Sequence, residues 1–130
     1  MRLTGIDHVV LRVKDLEAMI AFYTEVLGCT VERRRDDIGL IQLRAGAALI
    51  DLVPVESRLG RQGGAAPGAE GRNLDHLCLA VADFDVERVR AHLLANGITP
   101  GEAGLRYGAK GEAMSIYLED PDGNALELRG

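Results

Sequence analysis

The chain contains no tryptophan and only three tyrosines and two phenylalanines among 130 residues. Material for the stacked aromatic walls that hold planar drugs is therefore scarce. Apart from Arg33-Arg34-Arg35, flanked by Glu32 and Asp36-Asp37, basic residues form no run: 15 Lys and Arg stand against 20 Asp and Glu, for a net charge of −5. This excludes the clustered cationic surface that nucleic-acid binders use to neutralise phosphates. No apolar stretch approaches the roughly 20 residues that span a bilayer. Cys29 and Cys78 lie far apart and outside any C-x-x-C pattern, which is cysteine usage suited to a reducing compartment. The opening MRLTGIDH has no apolar signal-peptide core, so a cytoplasmic protein is expected. There is no P-loop, dinucleotide fingerprint or Ser-His-Asp ordering, and the Gly-Gly pair near the middle lacks a strand-to-helix context.

What is present is a repeat. GIDHVVLRV starts at Gly5, and sixty-eight positions later NLDHLCLAV starts at Asn73. Each places Asp-His among strand-like aliphatics and leads into an Asp-headed helix, VKDLEAMI and VADFDVER. In the first half a strand at Gly5–Val13 is followed by Asp15 as helix N-cap. Leu16, Met19, Ile20, Tyr23, Val26 and Leu27 then recur at helical spacing, and Gly28 suits a left-handed terminus. Strands near Cys29–Arg34, Gly39–Arg44 and Ala47–Val53 complete the half. The second half predicts a strand at Leu74–Val81, Asp83 as N-cap, and a helix with Val86, Val89 and Leu93 on one face that closes at Asn96-Gly97. Strands near Ile98, at Ala113–Leu118 and at Asn124–Arg129 follow, with the turn Asp120-Pro121-Asp122-Gly123 between the last two.

The expected fold is thus α+β, with two βαβββ modules forming a cupped mixed sheet. One domain of about 130 residues is a usual size, divided here into residues 1–53, a segment 54–73 and residues 74–130. By composition the Gly- and Ala-rich middle segment reads as a flexible linker. Its arginines Arg58, Arg61 and Arg72 also allow a mobile flap that meets an anionic substrate.

Strand alternation adds a chemical pattern. On the first strand Val9, Leu11 and Val13 share one face, and Ile6, His8, Val10 and Arg12 the other. In the matching strand Leu77, Leu79 and Val81 oppose Leu74, His76, Cys78 and Ala80. The closing strands place Asp51 and Glu127 opposite the helix-facing leucines and isoleucine. Each half so offers one imidazole and one carboxylate on its non-helical face. A lone strand histidine is commonly a hydrogen-bonded structural residue. Two such pairs at equivalent places instead suit a divalent metal with two water positions left open, because unpaired buried carboxylates are costly.

HVVLRVKDLEAMIAFYTEVLGCTV, DHLCLAVADFD and YGAKGEAMSIYLEDPDGNALEL together resemble the vicinal oxygen chelate superfamily over nearly the whole chain. That superfamily includes glyoxalase I, fosfomycin-resistance thiol transferases, methylmalonyl-CoA epimerase, extradiol dioxygenases and bleomycin-binding proteins. By the resemblance, His8, Asp51, His76 and Glu127 are metal ligands for Ni, Co, Zn, Mn or Fe, and Glu127 doubles as a proton shuttle. Arg12 matches a residue that glyoxalase I uses on the glutathione carboxylate. Arg106 and Lys110 border the pocket as candidate anion contacts, although Tyr107–Gly111 also reads as a plain turn. Glyoxalase I has Glu at the position of Asp51, and without Asp51 the set reduces to His8, His76 and Glu127, the pattern of the thiol transferases and dioxygenases. The activity implied is that of a homodimeric, metal-dependent lyase or isomerase that chelates a small oxygenated substrate and stabilises an enediolate-type anion. The alternatives are a fosfomycin-type thiol transferase, an acyl-CoA epimerase, or a metal-free drug-binding protein of bleomycin type. His92 is expected on an exposed helix flank.

Overall fold

The computed structural model describes every residue except Leu3 and Asn73. The chain divides into two compact units, Met1–Asn73 and Leu74–Gly130. In the first, β1 (His8–Val13) leads to α1 (Leu16–Ala21) and then to β2 (Thr30–Arg35), β3 (Leu40–Ala45) and β4 (Ala48–Pro54). In the second, β5 (His76–Ala80) leads to α2 (Val86–Ala95), β6 (Ala103–Gly108), β7 (Gly111–Glu119) and β8 (Ala125–Arg129). Each unit is a βαβββ module with its own mixed four-stranded sheet, ordered β1-β4-β3-β2 and β5-β8-β7-β6. β1 runs parallel to β4 and β5 parallel to β8, while the remaining neighbours are antiparallel.

The helix side of each sheet forms its core. In the first unit Leu11, Val13, Ile41, Leu43, Ile50 and Leu52 are buried together with Met19, Phe22 and Tyr23. Asp15 caps α1 as expected, its Oδ1 accepting from the Ala18 amide at 3.1 Å. α1 then widens into a π-helical turn, Phe22–Val26, in which the Leu27 amide reaches Phe22 O at 3.2 Å. The extra residue in that turn allows consecutive aromatics to be buried side by side, with the Phe22 and Tyr23 rings edge to face at 5.3 Å. Gly28 closes the helix at φ +76°. In the second unit Leu93, Ile116, Leu118, Leu126 and Leu128 are buried.

Three expectations are corrected. The cap of α2 is Asp85, in extended conformation, with its Oδ1 accepting from the Arg88 amide at 2.8 Å. Asp83 instead takes a left-handed turn, φ 49°, which a helix N-cap does not adopt. No strand forms at Ile98, because its amide is spent on Leu93 O at 2.9 Å, finishing the helix; β6 begins only at Ala103, beyond Pro100 and Gly101. The turn expected across Tyr107–Gly111 is shorter, since Gly108 pairs with Gly111 and leaves only Ala109 and Lys110 between the strands.

The segment between β4 and β5 carries a short 3-10 turn, Gly60–Gly63, and a bridge between Gly68 and Gly71. Among the described residues no helix is long and apolar enough to cross a membrane.

Candidate metal-ligand pairs

Strand register sets the site residues in both units. In the first, His8 aligns with Leu49 and Val10 with Asp51. In the second, His76 aligns with Ala125 and Cys78 with Glu127. The acid therefore sits two residues beyond the partner of the histidine in both units, on the same sheet face. Both histidines are partly exposed and both acids are buried, with relative exposures of 3 % for Asp51 and 6 % for Glu127.

The acids are satisfied by side chains on the neighbouring strands. Gln42, paired with Asp51 across β3 and β4, donates its amide to both carboxylate oxygens, at 3.1 and 3.3 Å. Tyr117, the equivalent cross-strand partner of Glu127, has its hydroxyl 3.4 Å from Oε2. Ser115 Oγ donates to Oε1. The signal was available in the alternation: Gln42 interrupts the aliphatics Ile41 and Leu43, and Ser115 and Tyr117 alternate with Ile116 and Leu118.

The histidines have partners too. His8 Nδ1 lies 2.6 Å from Asp7 Oδ1, and His76 Nδ1 lies 2.7 Å from Asp75 Oδ2. The hydrogen bond to Asp7 raises the His8 pKa above its ordinary value, and the negative charge of Asp51 adds to the effect. His76 Nε2 faces Glu127 Oε2 at 3.4 Å. In the tautomer with its proton on Nδ1, His76 donates to Asp75. Nε2 and Oε2 then confront each other as two lone-pair donors, an arrangement that a cation between them would relieve. This donor chemistry fits a divalent metal. Among the described residues no three His, Cys, Asp or Glu side chains gather into one metal-sized cluster; each unit shows a pair.

The remaining candidates divide. Arg12 spreads its guanidinium over main-chain carbonyls: Nε to Gly60 at 3.1 Å, Nη1 to Gly63 and Ala65 at 3.0 Å each, and Nη2 to Gly64 at 2.7 Å. The segment read as a linker is thereby tied to β1, and a side chain at Gly63 would meet Arg12 Nε at 2.5 Å. Arg106 lies over the Tyr117 ring at 5.6 Å and donates to Glu102 at 3.0 Å. Lys110 is exposed in the two-residue turn. His92 is on the exposed flank of α2 as expected. Burial raises the pKa of both thiols, and the Glu127 charge raises that of Cys78 further. Neither cysteine carries the lowered pKa of an activated nucleophile.

The family profile of the Glyoxalase/Bleomycin resistance protein/Dioxygenase superfamily matches residues 5–128. The chain belongs to this superfamily. It is 36% identical over 134 residues to virulence protein STM3117 of Salmonella typhimurium, covering 98% of this chain and 85% of that one. The crystal structure of that protein superposes with a TM-score of 0.79 at 34% identity, covering 99% and 98% of the two chains. The glutathione transferase FosA of Serratia marcescens is 30% identical over 97% of this chain and 80% of its own length. The lactoylglutathione lyase GLX1 of Arabidopsis thaliana is 32% identical over 93% of this chain, which spans only 42% of the lyase.

Proposed function

We propose that the chain is a metal-dependent enzyme of glyoxalase I type, in which His8, Asp51, His76 and Glu127 ligate one divalent ion. The observation that supports this most directly is the repeated register, which gives each unit an imidazole and a buried acid at the same strand offset. A bound ion would supply Lewis acidity, polarising two neighbouring oxygens of a small substrate and stabilising the anion left when an adjacent C–H loses its proton. Glu127 is the group that takes and returns that proton. Its hydroxyl partners, Ser115 and Tyr117, hydrogen-bond its two carboxylate oxygens and orient it. Arg106 and Lys110 contact the anionic end of the substrate, and Arg12 acts on the same substrate by fixing residues 60–65. The protein works in the cytoplasm, where unpaired Cys29 and Cys78 stay reduced. It acts as a homodimer, since a sheet that exposes apolar residues such as Val10 beside its donors gains from being covered.

A second reading, thiol transfer onto a small electrophile, is favoured by length. The chain covers 80% of the FosA relative but 42% of the lyase. In that chemistry His8, His76 and Glu127 suffice as ligands, and Glu127 moves no proton.

Metal analysis of purified protein tests the shared part of both readings. One divalent ion per four-donor set is expected, and His76→Ala should lose most of it. Full stoichiometry in that variant would remove His76 from the ligand set, and a metal-free active protein would remove the metal altogether.

A further inference from the structure

The two Asp-His pairs do more than repeat a motif. Inside a strand, neighbouring side chains point to opposite faces, so residue i−1 cannot reach the side chain of residue i. Asp7 and Asp75 each stand immediately before a strand, at its first residue His8 or His76. Each carboxylate lies against the imidazole that follows, at 2.6 and 2.7 Å. Both carboxylates are otherwise almost fully solvent-exposed, 92% and 97%. The same contact forms in two units of different sequence.

We propose that Asp7 and Asp75 are positioning residues that hold His8 and His76 as Nδ1–H tautomers, with the Nε2 lone pair left as the donor. A carboxylate accepts and cannot donate, so contact with Nδ1 fixes the proton there and fixes the ring plane with it. An outer carboxylate also makes the opposite nitrogen more basic, which strengthens it as a ligand. In the second unit Nε2 then faces Glu127, the acid with which it would share an ion. The consequence for ligation rests on the metal reading above; the tautomer assignment does not.

The test separates the two. In metal-free, histidine-labelled protein, held at a pH above the imidazole range, nitrogen–proton correlation spectra distinguish the protonated ring nitrogen from the bare one. Wild-type His8 and His76 are expected to carry the proton on Nδ1. Asp7→Ala and Asp75→Ala should each shift their own histidine towards the Nε2–H form and leave the other unchanged. Asp7→Glu and Asp75→Glu, which keep an acceptor-only carboxylate, should retain the wild-type tautomer and guard against misfolding as the cause. Titration with Zn²⁺ alone should then show affinity reduced roughly 10- to 100-fold in the alanine variants and largely restored in the glutamate variants. A wild-type Nε2–H tautomer, or alanine variants with unchanged spectra, would overturn the proposal. The expected tautomers in a protein that binds no Zn²⁺ would support the positioning role and defeat the metal reading instead.

Discussion

The two units share one backbone arrangement and surround its acid differently. Asp51 takes both its hydrogen bonds from a single amide, that of Gln42. Glu127 accepts from two hydroxyls, Ser115 and Tyr117, and faces His76 Nε2. The amide NH₂ that meets Asp51 can only donate. A hydroxyl rotates and can either donate or accept, so Ser115 and Tyr117 are the more adaptable partners. The strand register is the same in the two units, and the residues opposite each acid differ. One acid meets a single amide, the other two hydroxyls and an imidazole.

The largest effect expected from this asymmetry is on turnover. Glu127→Gln should lower the rate of proton exchange from a hemithioacetal or acyl-thioester substrate by about 10²- to 10⁴-fold, the usual contribution of a positioned acid–base group. Asp51→Asn should cost much less, because there only charge and ligation change. Equal losses would mean that the two acids act as a symmetric pair, and the difference between Gln42 and Tyr117 would carry no chemical meaning. Undiminished activity in Glu127→Gln would move thiol transfer to first place.

A smaller contrast concerns two arginines. Arg129, buried on β8, donates to the Arg106 and Gly111 carbonyls and so pins the β6–β7 hairpin of its own unit. Arg12, on β1, reaches carbonyls 48 to 53 residues away in sequence. Hydrogen bonds from a charged donor contribute about 1.5–3 kcal/mol each where they are shielded, less where, as for Arg12, solvent has access. Arg12→Ala is therefore expected to release the segment without unfolding the sheet. The amides of Arg61 and Gln62, bonded to Ser57 O and Leu59 O, should exchange with solvent roughly tenfold faster, consistent with losing about 1.4 kcal/mol of local stability. Amides of β5–β8 should not change. Unchanged exchange at Arg61 and Gln62 would show that the segment holds its shape without the clamp.

Much of this was legible in the sequence for one physical reason: strand alternation and helix periodicity are local. They placed Leu11 and Val13 in the core and put His8 with Asp51, and His76 with Glu127, on the other face of their sheets. What escaped notice depends on cross-strand partners or on competition for a single backbone group. Gln42 and Tyr117 matter because of what lies opposite them on the neighbouring strand, and the partners of Arg12 are carbonyls, which side-chain identity does not encode. Ile98 looked like a strand residue by side chain, but its amide had already been claimed by α2. The π-helical turn at Phe22–Val26 likewise has no periodic signature of its own.

The smallest effect separates two aspartates that read alike. Asp83 and Asp85 both precede α2, and only conformation distinguishes them. An N-cap must be extended so that its carboxylate can turn back to the first-turn amides, and Asp85 at φ −137°, ψ 122° meets that condition. Asp83, at φ 49°, bends the chain towards the cap and offers its main-chain carbonyl to Arg88. The Asp85 side chain thus stabilises the helix directly, whereas at Asp83 the backbone conformation matters more than the carboxylate. Thermal or denaturant unfolding should show Asp85→Ala losing about 0.5–2 kcal/mol, the usual cost of removing a side-chain cap. Asp83→Gly should lose little or gain slightly, since glycine enters the left-handed region without a Cβ penalty. The reverse order would put the cap at Asp83, where sequence pattern alone had placed it, and would require α2 to start two residues earlier in solution.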